Sequence, residues 1–140
     1  MKLLLAIDDS KFSEAATQAV IAQFQPQGTE VKVLSVVDLL LPIPTSDAAG
    51  YRELSLKHGQ ELVQKAERLL SNAGFKTQIA VQEGDPTSKI IDQATQWKAD
   101  LILMGSHGRK GLSRFLMGSV AQNVSRHASC SVQIVRMPGA

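Results

Sequence analysis

The sequence predicts an α/β protein with a doubly wound, five-stranded parallel sheet and about four helices on its two faces. Strand patterns and helix patterns alternate along the whole chain, which is the order that crossover connections between parallel strands require. The first apolar run, Leu3–Asp8, is uninterrupted, as expected of a central strand that is covered on both faces. The chain has 140 residues, the usual length of one domain, so we expect a single domain over residues 1–140.

The first half of the chain is predicted to hold two strands and two helices. After the first strand, alanines and Val20 recur at helical spacing and predict a helix over Phe12–Phe24. Val31–Val37 is the second strand. A longer helix is predicted from about Tyr51 to Ala73, and Gly74 is suited to end it. One face of this helix carries Leu62, Ala66, Leu69 and Leu70.

The second half is predicted to continue the alternation with three strands and two helices. Their ranges are Phe75–Gln82, Pro86–Trp97, Asp100–Gly105, Ser119–His127 and Ser131–Met137, in the order strand, helix, strand, helix, strand. Right-handed crossovers force such a sheet to reverse its winding direction once, and ligands bind at the carboxyl ends of the strands beside the reversal. The ends of strands one and four are therefore the candidates for a binding site.

One long connection, Leu39–Gly50, has no regular pattern. Its first part, Leu39 to Pro44, is too apolar for an ordinary solvated loop. It could cover a ligand, contact a second copy of the chain or pack locally, and the sequence leaves these three roles open.

Charge and composition limit the function classes. The net charge of +2 does not favour nucleic acid or an anionic membrane, and no apolar run approaches the roughly 20 residues of a membrane span. The start of the chain lacks the pattern of a signal peptide, and the single cysteine, Cys130, can form no internal disulfide, so we expect a cytoplasmic protein. All 13 acidic residues lie at or before Asp100, whereas Arg109, Lys110 and Arg114 follow it. The C-terminal part thus favours an anionic ligand.

The most informative motif follows the fourth strand. Gly105-Ser106-His107-Gly108 is followed by nine residues and then by Gly118-Ser119, where the last helix is predicted to begin. Glycines permit positive φ angles and close approach of a ligand, and the first amides of a helix are unpaired and partially positive. Together with the three cations inside the loop, this pattern indicates phosphate binding. Neither the usual P-loop pattern nor the dinucleotide-binding glycine pattern occurs in the chain.

This spaced-glycine pattern, together with Asp8 and Ser10 at the end of strand one, resembles the ATP-binding universal stress protein family over nearly the whole chain. The resemblance implies a sheet order of 3-2-1-4-5, ATP or ADP or AMP as ligand, and a homodimer formed along strand five, Ser131–Met137. Asp8 makes Mg²⁺ a possible companion of the nucleotide. It implies that the nucleotide meets Ala6, Ile7, Asp8, Val36, Met104, Gly105, His107, Gly108, Arg109, Gly118, Ser119 and Val120. Ser129 and Ser131 depart from the family, which often has Pro on both sides of the position of Cys130.

The function implied by the resemblance is that of a regulator in which bound nucleotide acts as a ligand switch in a stress response, through protein partners that the sequence does not identify. Two alternatives from other classes remain. The first is a slow or partner-dependent ATPase; it has no Asp, Glu or Gln between Gly105 and Ser119 to orient an attacking water, and no catalytic residue is assigned. The second is a nucleotide-free dimeric scaffold.

Several side chains have a structural interpretation beside the functional one. Asp8 could hold the ribose or a metal ion, or it could help Ser10 start the first helix. Asp85 before Pro86 is typical of a helix N-cap, and His107 could contact a nucleotide or face solvent. His58 and His127 lie on predicted helices and are expected to have surface or capping roles.

Overall fold

The computed structural model describes residues 1–38, 48–107 and 117–137 and contains one parallel sheet of five strands in the order β3-β2-β1-β4-β5. The predicted fold class and strand order are both confirmed. In chain order, the elements are β1 (Lys2–Ile7), α1 (Lys11–Gln23), β2 (Glu30–Val37), α2 (Ala48–Asn72), β3 (Lys76–Glu83), α3 (Pro86–Trp97), β4 (Leu101–Gly105), α4 (Ser119–His127) and β5 (Ser131–Val135).

Each face of the sheet has its own apolar core. Leu3 and Leu5 of β1 point to the face covered by α1 and α2, where they pack with residues such as Val20 and Leu70. Leu4 points to the opposite face, covered by α3 and α4, where it packs with residues such as Val124. Successive strand residues alternate between faces, so a central strand covered on both sides must be apolar on both, as β1 is from Leu3 to Ile7.

The predicted C-terminal end of α2 is confirmed, whereas its predicted start lies too late in the chain. Gly74 ends the helix at φ 97°, with its N–H donating to the Ser71 carbonyl and the Phe75 N–H donating to the Leu70 carbonyl, which is the Schellman arrangement. The helix begins at Ala48, not at about Tyr51. Residues 49–54 are mostly exposed and carry no apolar periodicity that a sequence pattern could register. No helix among the described residues is both long and apolar enough to cross a membrane.

The strand ladders separate at the carboxyl edge of the sheet. The last partners of β1 and β4 are Ala6 and Met104, although β1 continues to Ile7 and β4 continues to Gly105. The sheet reverses its winding between these two strands, because β2 and β3 lie beyond β1 whereas β5 lies beyond β4. A parallel sheet forms its ligand crevice at such a reversal.

Candidate functional site

The end of β4 packs directly against the first turn of α1. A Cβ atom added to Gly105 would lie 2.7 Å from the Phe12 Cβ and 2.9 Å from the Phe12 carbonyl oxygen. Real Cβ atoms do not approach other atoms so closely, so only glycine fits here. The glycine predicted for ligand approach is thus required by helix packing, and its φ does not lie in the left-handed region.

Ser106 joins β4 to the start of α4. Its N–H donates to the Val135 carbonyl at 2.9 Å, and its carbonyl accepts from the Gly118 N–H at 2.7 Å. Ser106 is buried, so these hydrogen bonds are shielded from water. The bond from Gly118 holds the two ends of the glycine motif together, although 11 residues separate Ser106 from Gly118 in the chain.

The first turn of α4 presents main-chain donors at this point. Gly118 is the N-cap residue with φ −60° and ψ 152°, angles open to any residue, and it has no side chain to cap the helix. The amides of the first turn have no partner within their own helix, and the helix dipole adds partial positive charge. Ser119 is exposed, whereas Val120 packs against the core on the α3 and α4 face. Gly118 does not use the positive φ that glycine permits, and the predicted helix start is confirmed.

At the end of β1, Asp8 is held by two serines. Its Oδ1 accepts from the Ser10 N–H and from the Ser13 hydroxyl, both at 2.9 Å, and its own N–H donates to Ser13 Oγ at 2.7 Å. Ser10 caps α1 by accepting from the Ser13 N–H. The structural interpretation of Ser10 is therefore confirmed, and the Asp8 carboxylate has a defined orientation at the sheet reversal.

Next to Asp8, the carboxyl end of the sheet carries apolar side chains on its α3 and α4 face. Ala6, Val36 and Met104 all belong to or pack against the core on that face. Ile7 belongs to the core of the opposite face, so only its main chain could meet a ligand on this side. The ladder from β1 to β2 ends at the pair Ile7 and Ser35, which leaves Val36 beyond the end of β1.

His107 lies just past β4, against α1. Its Nδ1 is 3.0 Å from Ser106 Oγ, and its ring centroid is 5.0 Å from that of Phe12. The structure thus brings Asp8, His107 and the α4 amides to one edge of the sheet. The predicted site residues Gly108 and Arg109, together with Lys110, Arg114 and the apolar stretch Leu39 to Pro44, lie outside the described residues.

The sequence did not reveal several contacts around this edge. His58 of α2 pairs with Asp9 at 3.3 Å between Nε2 and Oδ2, a partner 49 residues away in the chain. Arg52, also on α2, makes two hydrogen bonds to Glu83. These hydrogen bonds and the negative charge of Glu83 raise the pKa of Arg52. Such exposed pairs add little stability, but they link α2 to the carboxyl edge. The predicted N-cap at Asp85 is confirmed by its hydrogen bond from the Ser88 N–H.

Cys130 is expected to react slowly with alkylating agents near neutral pH. Burial, its largest influence, raises the pKa of the Cys130 thiol, and the charge of Asp100 adds to this. The protonated form is therefore favoured in the folded protein. The resulting stabilisation of the folded state is fully present below the ordinary cysteine pKa of about 8.5 and is lost as pH rises through the pKa of the folded protein. The iodoacetamide rate of folded protein should rise at higher pH than that of urea-unfolded protein. Coincident profiles would contradict the shift.

The described residues contain no group of three His, Cys, Asp or Glu side chains that could hold a metal ion. What the site offers is an oriented carboxylate, an imidazole, helix amides and an apolar surface. This set suits a ligand that combines an apolar ring with hydroxyls and negatively charged groups.

Comparisons with known proteins agree with this description. The universal stress protein family model matches residues 1–136. A universal stress protein of Methanocaldococcus jannaschii, MJ0531, is 35% identical over 141 aligned residues, which cover 98% of this chain and 82% of that protein. The chain therefore belongs to the universal stress protein family.

Solved structures share the fold. The structure of hypothetical protein MJ0577 superimposes with a TM-score of 0.89 at 26% identity, covering 99% of this chain and 97% of the other. A universal stress protein in complex with cAMP has a TM-score of 0.71 at 21% identity and 96% coverage of each chain. An Arabidopsis thaliana family protein with AMP bound has a TM-score of 0.74 at 17% identity, covering 99% of this chain and 93% of the other. The last two likenesses concern the fold alone.

Proposed function

We propose that this protein binds ATP, or another adenine nucleotide, across the carboxyl ends of β2, β1 and β4. The observation that carries the proposal is the bond between Ser106 and Gly118, because it holds a helix start without a capping side chain directly at the sheet reversal. Unpaired helix amides at such a reversal are suited to phosphates. The proposed ligand residues are Ala6, Ile7, Asp8, Val36, Met104, Gly105, His107, Gly108, Arg109, Gly118, Ser119 and Val120.

The order of the strands matches the order of groups in a nucleotide. Adjacent strands lie about 4.8 Å apart, so β2, β1 and β4 offer three neighbouring positions along the edge. In this proposal the base lies by Val36 with Met104 and Ala6 beneath it, the ribose lies by Asp8, and the phosphates lie by His107 and the α4 amides. AMP and cAMP, which are bound to two proteins of the same fold, share the base and ribose that this arrangement would hold.

Asp8 would bind the Mg²⁺ ion that accompanies ATP. Mg²⁺ at nucleotide sites usually takes one or two carboxylates, with phosphate oxygens and water completing its shell, so the lack of a three-residue cluster among the described residues is compatible with it. The metal would supply charge neutralisation of the phosphates when bound.

The proposed role is regulatory. Bound nucleotide would stabilise the segment between β4 and α4 and so change the surface offered to protein partners in the cytoplasm. The proposed homodimer forms along β5, an edge strand whose outer side pairs with no other strand of the described residues. Fast hydrolysis is not expected, because the chain from Gly105 to Ser119 contains no carboxylate or Gln that could orient water.

The direct test is to denature the purified protein and identify released nucleotide by chromatography, and then to titrate nucleotide-free protein with ATP, ADP and AMP with and without Mg²⁺. Saturable binding is expected, with a stabilisation of about 2.7 kcal/mol at a ligand concentration 100 times the Kd. No released nucleotide and no saturable signal at millimolar ligand would refute the proposal and favour the scaffold alternative. A turnover above about one per second would instead favour the ATPase.

A further inference from the structure

The first turn of α1 contacts both side chains that the candidate site takes from the sheet. Ser13 hydrogen bonds to Asp8 at the end of β1, whereas Phe12, the preceding residue, packs its ring on His107 beyond β4. Asp8 and His107 come from adjacent strands on either side of the sheet reversal. A single helical turn therefore contacts a candidate site residue on each side of the crevice, Asp8 on one side and His107 on the other.

Helix formation alone does not account for the Ser13 hydroxyl. The cap of α1 is complete with Ser10, whose side chain accepts from the Ser13 N–H. The Ser13 hydroxyl instead bonds across to β1, accepting from the Asp8 N–H and donating to Asp8 Oδ1. Ser13 is buried, so water does not compete for these bonds. Their effect is to fix the direction of one carboxylate.

Core packing does not account for Phe12. Its ring belongs to neither of the two apolar cores of the described structure, although Phe24 at the other end of α1 packs into one of them. The Phe12 ring lies tilted at 44° to the His107 ring, while the Phe12 Cβ and main chain fill the space that Gly105 leaves open. A large aromatic side chain with this placement limits the orientations of the imidazole.

We infer that Phe12 and Ser13 are positioning residues of the nucleotide site, Ser13 directing Asp8 towards the ribose and Phe12 directing His107 towards the phosphates. This inference rests on the proposed function. It assigns the two residues separable effects, because Asp8 follows β1, the neighbour of β2 and the proposed base, whereas His107 follows Ser106, which hydrogen bonds to the start of α4. Neither residue touches the nucleotide itself in this assignment.

The test measures the binding of ATP and of adenosine to four variants. Phe12→Leu should weaken ATP binding roughly tenfold and leave adenosine binding unchanged, because only the phosphate contact loses its orientation. Ser13→Ala should weaken both ligands by a similar factor. Phe12→Tyr keeps the aromatic ring and Ser13→Thr keeps the hydroxyl. Both variants should bind ATP and adenosine with wild-type affinity. In parallel, the NMR signals of the His107 ring should move in Phe12→Leu and not in Ser13→Ala.

The outcomes separate this inference from the proposed function. Wild-type protein that binds neither ligand refutes the proposed function before any variant is made, and the inference with it. Wild-type protein that binds both, with Phe12→Leu and Ser13→Ala binding equally well, overturns the inference alone. Variants that lose both ligands in proportion to a fall in melting temperature overturn it as well, since that pattern belongs to a purely structural role.

Discussion

Replacing Gly118 with aspartate is expected to weaken ATP binding at least about 100-fold without destabilising the fold. The backbone angles at Gly118, φ −60° and ψ 152°, are open to any residue, and aspartate is among the best N-cap residues. Its carboxylate would accept from the amides of Val120 or Ala121, the donors proposed for phosphate. It would also bring negative charge to the position that the phosphates need. Calorimetry with ATP and thermal unfolding of the same sample measure the two effects.

Gly118→Asn is the matched control for charge. Asparagine caps the same amides as aspartate but carries no charge, so its loss of ATP affinity should be smaller while its melting temperature is similar. If the variants bind ATP more weakly while their melting temperature stays the same or rises, misfolding is excluded as the reason for weak binding. If both variants kept wild-type affinity for ATP, no phosphate could lie at the start of α4, and the proposed site would be wrong.

The element order could be predicted because it rests on local signals. Uninterrupted apolar runs indicate buried strands, Gly74 and Ser10 mark helix ends by their own backbone and side-chain chemistry, and the glycine motif marks the start of α4. The strand order could not be predicted from such local signals. Periodicity does not decide which strands are neighbours, and the order 3-2-1-4-5 was available only through the family resemblance.

The contacts that shape the site could not be predicted, because they join residues that are distant in the chain. Gly105 was interpreted as a ligand-approach glycine, yet its missing side chain makes room for Phe12, 93 positions earlier. The pairing of His58 with Asp9 likewise depends on how α2 lies over the end of β1. The end of the ladder between β1 and β4 at Ala6 and Met104 depends on both strands together, so the sequence of one strand carries no signal for it.

Gly105→Ala is expected to destabilise the protein by about 2 to 3 kcal/mol, as overpacking at a rigid contact does. The new methyl group would stand 2.7 Å from the Phe12 Cβ and 2.9 Å from the Phe12 carbonyl oxygen, and a helix backbone cannot rotate away as a side-chain tip can. The start of α1 would have to move off β4, carrying Phe12 and Ser13 with it. The midpoint of urea unfolding should fall with little change in slope. ATP binding should weaken at the same time, measured at a temperature where the variant is still folded.

Gly59→Ala is the control, because it makes the same chemical change where the neighbours are side-chain methyl groups. Its added Cβ would meet the Val81 Cγ1 at 3.2 Å and the Val37 Cγ2 at 3.3 Å, contacts that a few tenths of an ångström can relieve. Within α2, alanine also gains about 1 kcal/mol of helix propensity over glycine, so the net change should be close to zero. An equal loss of stability in both variants would contradict a specific contact between β4 and α1. A Gly105→Ala protein as stable as the wild type would show that α1 can move freely, and Phe12 and Ser13 could not then position His107 and Asp8.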